Sequence, residues 1–249
     1  MVRIASRLKS FGKQLSRTNQ VGWIDYTNDV ECDALLNDLK RFPHLFLLGV
    51  IADRQIKARR AWMIPIEAVR LAGSPEFKRL RRVRRATWQR WLAGPPALHR
   101  FPISIGTALF EGLKLVETKY VGDASAIWAG SPSSAELVLR FLEFEGIGPK
   151  IASMAVNLLS TRYDVALADH YSVDISADVH VRRVFERLGL VPPGATVDQV
   201  IFRARVLNPT FPGELDRPAF EIGRKWCHSQ KIDCQPCYMR RICPTAELA

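Results

Sequence analysis

The sequence predicts an all-α protein. Three observations carry that prediction. Apolar residues recur at helical spacing in segment after segment. No segment shows a convincing strand pattern. Residues 134–159 read as two helices joined by a glycine-rich hairpin, the most strongly marked element in the chain.

Residues 1–30 are basic and read as irregular: either a frayed arm or a segment packed against the C-terminal part. Asn28 or Asp29 suits the cap of a helix over about residues 30–41, with Leu35, Leu36 and Leu39 on one face and Pro43 ending it. Leu45 to Ala61 reads as a second helix, almost wholly apolar at first and therefore buried, turning polar at Asp53, Arg54 and Gln55. Pro75 to Ala93 is the most basic stretch. Lys78, Arg79, Arg81, Arg82, Arg84, Arg85 and Arg90 lie there with no acid between them, while Leu80, Val83, Trp88 and Trp91 supply an inner face. A helix with a cationic outer face follows from that pattern. Such a run is either a solvated face or a phosphate contact. The sequence from Gly94 to Ala97, Gly-Pro-Pro-Ala, is a breaker. Ser104 to Tyr120 is helical, and Ala124 to Trp128 is a short turn.

Ser133 and Ser134 are candidate caps for a helix running to Glu145. Gly146 and Gly148 permit a tight backbone with positive φ, and Pro149 suits the first position of the next helix, which runs over Ile151–Leu159. The N–H groups of Gly146, Gly148 and Lys150 then lie free at a helix N-terminus, a built-in anion site matched to phosphate. Thr161 to Ile175 is irregular. Ser176 reads as the cap of a helix to Leu188 with Asp178 in its first turn. Val197–Leu207 and Ala219–Cys227 complete the helices.

Composition bounds the function. With 249 residues and 47% hydrophobic content, the chain makes one large packed domain or two small ones. No run of 18 apolar residues appears, so no membrane span is expected, and Met1–Arg7 lack the apolar core of a secretory signal. The net charge of +11 favours a polyanionic partner. Four of the five cysteines, Cys227, Cys234, Cys237 and Cys243, fall in one short loop, leaving Cys32 alone. That arithmetic suits a metal site in a reducing, intracellular compartment better than a disulfide framework. The pair Cys234/Cys237 taken alone favours zinc.

Three motifs stand in order: Glu145 to Lys150 (Glu-Gly-Ile-Gly-Pro-Lys), Ala177 to Val184 with Asp178 and His180 inside it, and the cysteines at intervals of six, two and five residues. Together they resemble the helix–hairpin–helix DNA glycosylases, and the endonuclease III family most closely. The resemblance covers the C-terminal half well and the N-terminal half weakly. It implies two lobes, a helical barrel over residues 31–162 and a second lobe joining residues 1–30 to 163–249. DNA would lie in the cleft, with Lys150 and Asp178 facing each other. Lys150 takes the position of the nucleophile, partly buried, and Asp178 that of the essential carboxylate. Gln55 takes the position of the side chain that fills the gap left by a flipped base, against the bland reading of a solvated helix end. Arg81, Arg82, Arg84, Arg85, Gly146 and Gly148 are the expected DNA contacts. Cys227, Cys234, Cys237 and Cys243 are the expected ligands of a 4Fe–4S cluster, and His180 is expected to pack rather than react. The implied partner is double-stranded DNA with a damaged base or abasic site, bound by a monomer.

One departure stands out. Lys150 and Asp178 are 28 positions apart, further than the family pattern, which makes Asp174 the fallback carboxylate. Three readings follow. The first is a glycosylase for damaged bases, by default oxidised pyrimidines, with AP lyase activity through a lysine Schiff base. The second is a monofunctional mismatch or damage glycosylase. The third is a DNA-binding iron–sulfur relative without catalysis.

Overall fold

A computed structural model describes residues 1–17 and 22–247. Among the described residues there are twelve α-helices and no β-strand; one isolated antiparallel bridge joins Cys227 and Ile232. Among the described residues, no helix is long and apolar enough to cross a membrane. The chain divides into two compact units. One comprises Gly22–Pro132 and Leu139–Ala155 and is called here the helical unit. The other comprises Met1–Val21, Ser133–Val138 and Val156–Ala249 and is called the cysteine unit.

In the helical unit, α2 (Val30–Asn37) is capped by Asp29, whose carboxylate accepts the N–H groups of Glu31 at 3.1 Å and Cys32 at 3.0 Å. It stops at Asn37 rather than at 41. Pro43 does not merely end it but opens α3 (Pro43–Ala52), where a missing N–H costs nothing. All ten residues of α3 are buried, as an apolar surface on every side requires. Each large aliphatic or aromatic side chain so buried contributes about 1.5–3 kcal/mol. The expected helix to Ala61 instead ends at Ala52. A bend over residues 53–57 separates it from α4 (Ala58–Ala72), which Pro65 at its middle conceals in the sequence. Gly49 lets α3 and α4 meet, since a Cβ there would lie 2.3 Å from the Trp62 ring. Tyr26 and Trp128 complete an aromatic cluster around Trp62 and Phe46.

The basic stretch is not one helix. It is α5 (Phe77–Arg81) and α6 (Arg85–Ala93), broken over residues 82–84. Leu80 and Trp88 are buried, while Val83 and Trp91 are half-buried. The long α7 (Pro102–Lys119) follows, again with proline at its first position. Next come α8 (Ser134–Leu142), where the Ser133 hydroxyl accepts the Glu136 N–H at 3.1 Å, and α9 (Pro149–Arg162). The division between the two units falls within α8 and α9.

In the cysteine unit, Val2–Arg17 is a helix, α1, correcting the irregular reading. Leu8 and Phe11 are buried, with Ile4 and Leu15 packed beside them. These four positions have helical spacing, so the signal was present. Phe11 stacks on Tyr238 with ring centroids 4.7 Å apart, and Arg7 lies over the same ring at 4.4 Å. The remaining helices are α10 (Val179–Arg187), α11 (Val197–Leu207) and α12 (Asp216–Lys225). The segment 163–178 has no regular structure, yet it is pinned along its length. Asp169 accepts from the Ser134 hydroxyl, the Val173 carbonyl accepts from Gly213 at 2.7 Å, and Ser176 N–H donates to Asp216 at 3.0 Å.

Candidate functional site

The hairpin is built as the sequence requires, with one difference. Gly146 has φ +89°, a left-handed conformation that favours glycine, but Gly148 does not share it. Ile147 is buried beneath the turn, and its N–H donates to the Phe144 carbonyl at 3.1 Å. A Cβ on Gly148 would point into open space. Nothing inside the protein therefore requires glycine there, whereas a close external approach would. Among the described residues, the N–H groups of Gly146, Gly148 and Lys150 donate to no acceptor. Free N–H groups at the start of a helix are chemically suited to an anion. Lys150 is exposed, not partly buried.

Gln55 lies outside any helix, in the bend between α3 and α4. It is exposed, with φ +56°. A non-glycine residue in that region costs about 1 kcal/mol or more and persists where its surroundings enforce it. Arg54, Lys57, Arg59 and Arg60 beside it are exposed.

The four arginines of the basic stretch divide into two pairs. Arg81 is paired with Glu117 at 2.7 Å and Arg85 with Glu111 at 2.5 Å, and both lie over the Phe110 ring. Their charge is met within the protein. Arg82 and Arg84 are exposed and form no ion pair among the described residues. Arg82 shares an open depression with Phe77, Lys78 and Arg79.

In the cysteine unit, Asp178 is itself the cap of α10, which corrects the assignment of that role to Ser176. One oxygen, Oδ1, accepts the N–H groups of His180 at 2.9 Å and Val181 at 2.8 Å. Oδ2 makes no hydrogen bond among the described residues, so the carboxylate is held at one oxygen and open at the other. Asp174 is different: both of its oxygens are taken by Arg205. His180 lies edge-on to Phe220 and against the Arg183 guanidinium at 3.0 Å.

Cys227, Cys234, Cys237 and Cys243 line one cavity together with Val184, Leu188, Ile222 and Trp226; Cys32 does not. Burial comes first among the causes that push the Cys234 and Cys237 thiols up, and the neighbouring cysteines add to it. Among the described residues no three His, Cys, Asp or Glu side chains converge as a single metal ion demands. Four thiols around one cavity are a donor set of the kind that holds an iron–sulfur cluster. The sequence did not single out the arginines that hold this loop. The Arg183 guanidinium donates to the Cys227 carbonyl at 2.6 Å. Arg187 donates to the Cys227 sulfur at 3.2 Å and the His228 carbonyl at 2.6 Å. Their i, i+4 spacing on α10 was the available signal.

No protein family matches the sequence, and no curated protein matches it. Solved structures do. Endonuclease III trapped as a covalent intermediate with DNA is 16% identical and superposes with a TM-score of 0.59, over 90% of this chain and 99% of that one. A thermostable thymine-DNA glycosylase gives 0.64 at 13% identity, over 99% and 96%. The 8-oxoguanine glycosylase/lyase of Clostridium acetobutylicum, in complex with dsDNA, gives 0.57 at 16% identity, over 87% and 69%. The chain has the helix–hairpin–helix DNA glycosylase fold. Among the described residues, the N–H groups of Gly146, Gly148 and Lys150 and the Oδ2 of Asp178 make no hydrogen bond. Lys150 belongs to the helical unit and Asp178 to the cysteine unit.

Proposed function

We propose that this protein is a DNA repair glycosylase that excises a damaged base, by default an oxidised pyrimidine, and nicks the strand through AP lyase chemistry at Lys150. The observation that carries the reading is an exposed amine at the second position of α9, directly after a hairpin whose N–H groups are free for phosphate. The fold supports DNA as the partner, since a base buried in a duplex must be flipped out before its glycosidic bond can be reached.

In this reading the neutral Lys150 amine attacks C1′ of the flipped nucleotide. The C1′–N bond breaks, and its electron pair leaves with the base, which takes up a proton. The attacking nitrogen gives up one proton, and the sugar ring opens as O4′ takes up a proton, leaving an iminium whose nitrogen keeps one hydrogen. Loss of a C2′ proton then expels the 3′ phosphate by β-elimination. Asp178 stabilises the positive charge that develops on the sugar. Its capping bonds hold it in place, and Oδ2 remains for that task. Asp174, held by Arg205 at both oxygens, is the poorer candidate. Gln55 fills the space that the flipped base vacates.

Cys227, Cys234, Cys237 and Cys243 would hold a 4Fe–4S cluster. When bound, it would cross-link a loop that has little apolar content of its own. Reduction with borohydride in the presence of abasic-site duplex tests the reading. Wild type should form a covalent protein–DNA adduct and Lys150→Ala none, while still binding the duplex. An adduct undiminished in Lys150→Ala would remove Lys150 from the chemistry.

A further inference from the structure

The bend that carries Gln55 is tied down on both sides by one other loop. Ahead of the bend, His99 is buried at 1% exposure, and its Nε2 lies 3.2 Å from the carbonyl of Ala52, the last residue of α3. Its Nδ1 accepts the Phe101 N–H at 2.9 Å, just before α7 begins. The two bonds require one neutral tautomer, with the proton on Nε2. Behind the bend, Arg60 in the first turn of α4 donates to the Leu98 carbonyl at 2.9 Å and to the Ala97 carbonyl. Residues 97–101 therefore grip the chain at 52 and again at 60. Gln55 stands between those two points in its left-handed conformation.

We propose that His99 and Arg60 are positioning residues that clamp the 53–57 bend and so present Gln55 to the duplex. The physical need is clear. A glutamine released from its surroundings would relax out of φ +56°, because that conformation is disfavoured for any residue with a Cβ. The clamp supplies the enforcement. The same loop continues into Arg100, which is exposed, so one loop sets the height of two exposed side chains. His99 is suited to the task because it stays neutral. Burial holds it below the ordinary histidine range, and the Arg60 and Arg54 guanidiniums act in the same direction, against the Ala52 carbonyl. An imidazolium would set an Nδ1–H against the Phe101 N–H and open the clamp.

The inference rests on the proposed role of Gln55, so its test measures that role separately. Two duplexes of equal length are compared, one undamaged and one with a tetrahydrofuran abasic site. The readout is the ratio of their dissociation constants. Gln55→Ala should lower the wild-type ratio by about three- to tenfold, the size of a lost hydrogen-bonding contact. His99→Ala should lower it as much, and the double variant no further, because His99 acts through Gln55. His99→Gln, which can donate to Ala52 and accept from Phe101, should restore most of the ratio. Amide exchange at residues 54–56 should quicken in His99→Ala and return in His99→Gln. A His99→Ala protein with an unchanged melting temperature and the wild-type ratio would overturn the proposal, as would additive losses in the double variant. If Gln55→Ala keeps the wild-type ratio, the reading of Gln55 fails instead. Exchange at the bend then decides the clamp alone: unchanged exchange in His99→Ala removes it.

Discussion

Arg205 holds Asp174 by both oxygens, with Nε 2.8 Å from Oδ1 and Nη2 2.7 Å from Oδ2. The pairing separates two carboxylates that are four positions apart in the sequence. One is spent on a guanidinium. The other, Asp178, is spent only at Oδ1.

Asp178→Asn should reduce base excision by about 10²–10³, the usual cost of removing one electrostatic element from a transition state. Duplex affinity should hold or rise. Asp174→Asn should leave excision intact and lower stability by no more than about 1 kcal/mol, because the ion pair is partly exposed. Single-turnover rates and thermal denaturation of the two variants make the comparison. Loss of excision in Asp174→Asn alone would exchange the two assignments.

The hairpin glycines should respond in opposite ways. Gly146→Ala forces a Cβ into a left-handed backbone and should cost on the order of 1 kcal/mol in stability. Gly148→Ala should change stability by less than about 0.5 kcal/mol, because its Cβ meets nothing. It should nonetheless weaken duplex binding about tenfold by crowding the approach of phosphate. Unchanged affinity in Gly148→Ala would place the phosphate elsewhere.

Salt dependence should distinguish the two pairs of arginines. Replacing Arg82 and Arg84 with alanine should flatten the slope of log K against log salt by about 1.8, from 0.9 per lost phosphate contact. Replacing Arg81 and Arg85 should change the slope little, since Glu117 and Glu111 already meet their charge. A titration of duplex affinity over salt concentration reads both. The reverse ranking would mean that these ion pairs break on binding.

Protein purified without oxygen should carry about four irons per chain and the brown colour of a cluster. Cys237→Ser should lose both iron and thermal stability, because ordering of the loop is coupled to metal binding. Cys32→Ser should retain the iron. One zinc and no iron, by elemental analysis, would reverse the assignment.

Much of the architecture was legible before any coordinates. Glycine and proline at 146–149 mark a break between two apolar-periodic runs, and local backbone preference is enough to make a hairpin from that pattern. The four cysteines announced one loop because their spacing is local too. Other features depend on partners distant in sequence. The buried length of α3 was plain, but its last carbonyl, at Ala52, is met by His99, 47 positions later. The helix α4 contains Pro65, and its Trp62 packs closely against Gly49 of α3. Seven cations between Pro75 and Ala93 looked alike in the sequence. Only folding brought Glu111 and Glu117 of α7 against two of them and left Arg82 and Arg84 unpaired. The motif favoured Asp178 with Asp174 as the fallback, and only the structure shows Asp174 held at both oxygens by Arg205. The sequence by itself determined that this chain is helical, carries a glycine–proline hairpin before Lys150 and places four cysteines in one short segment. Tertiary structure alone decided which charges are already satisfied, because a charge is neutralised by whatever lies within a few ångströms of it, however far away in the chain.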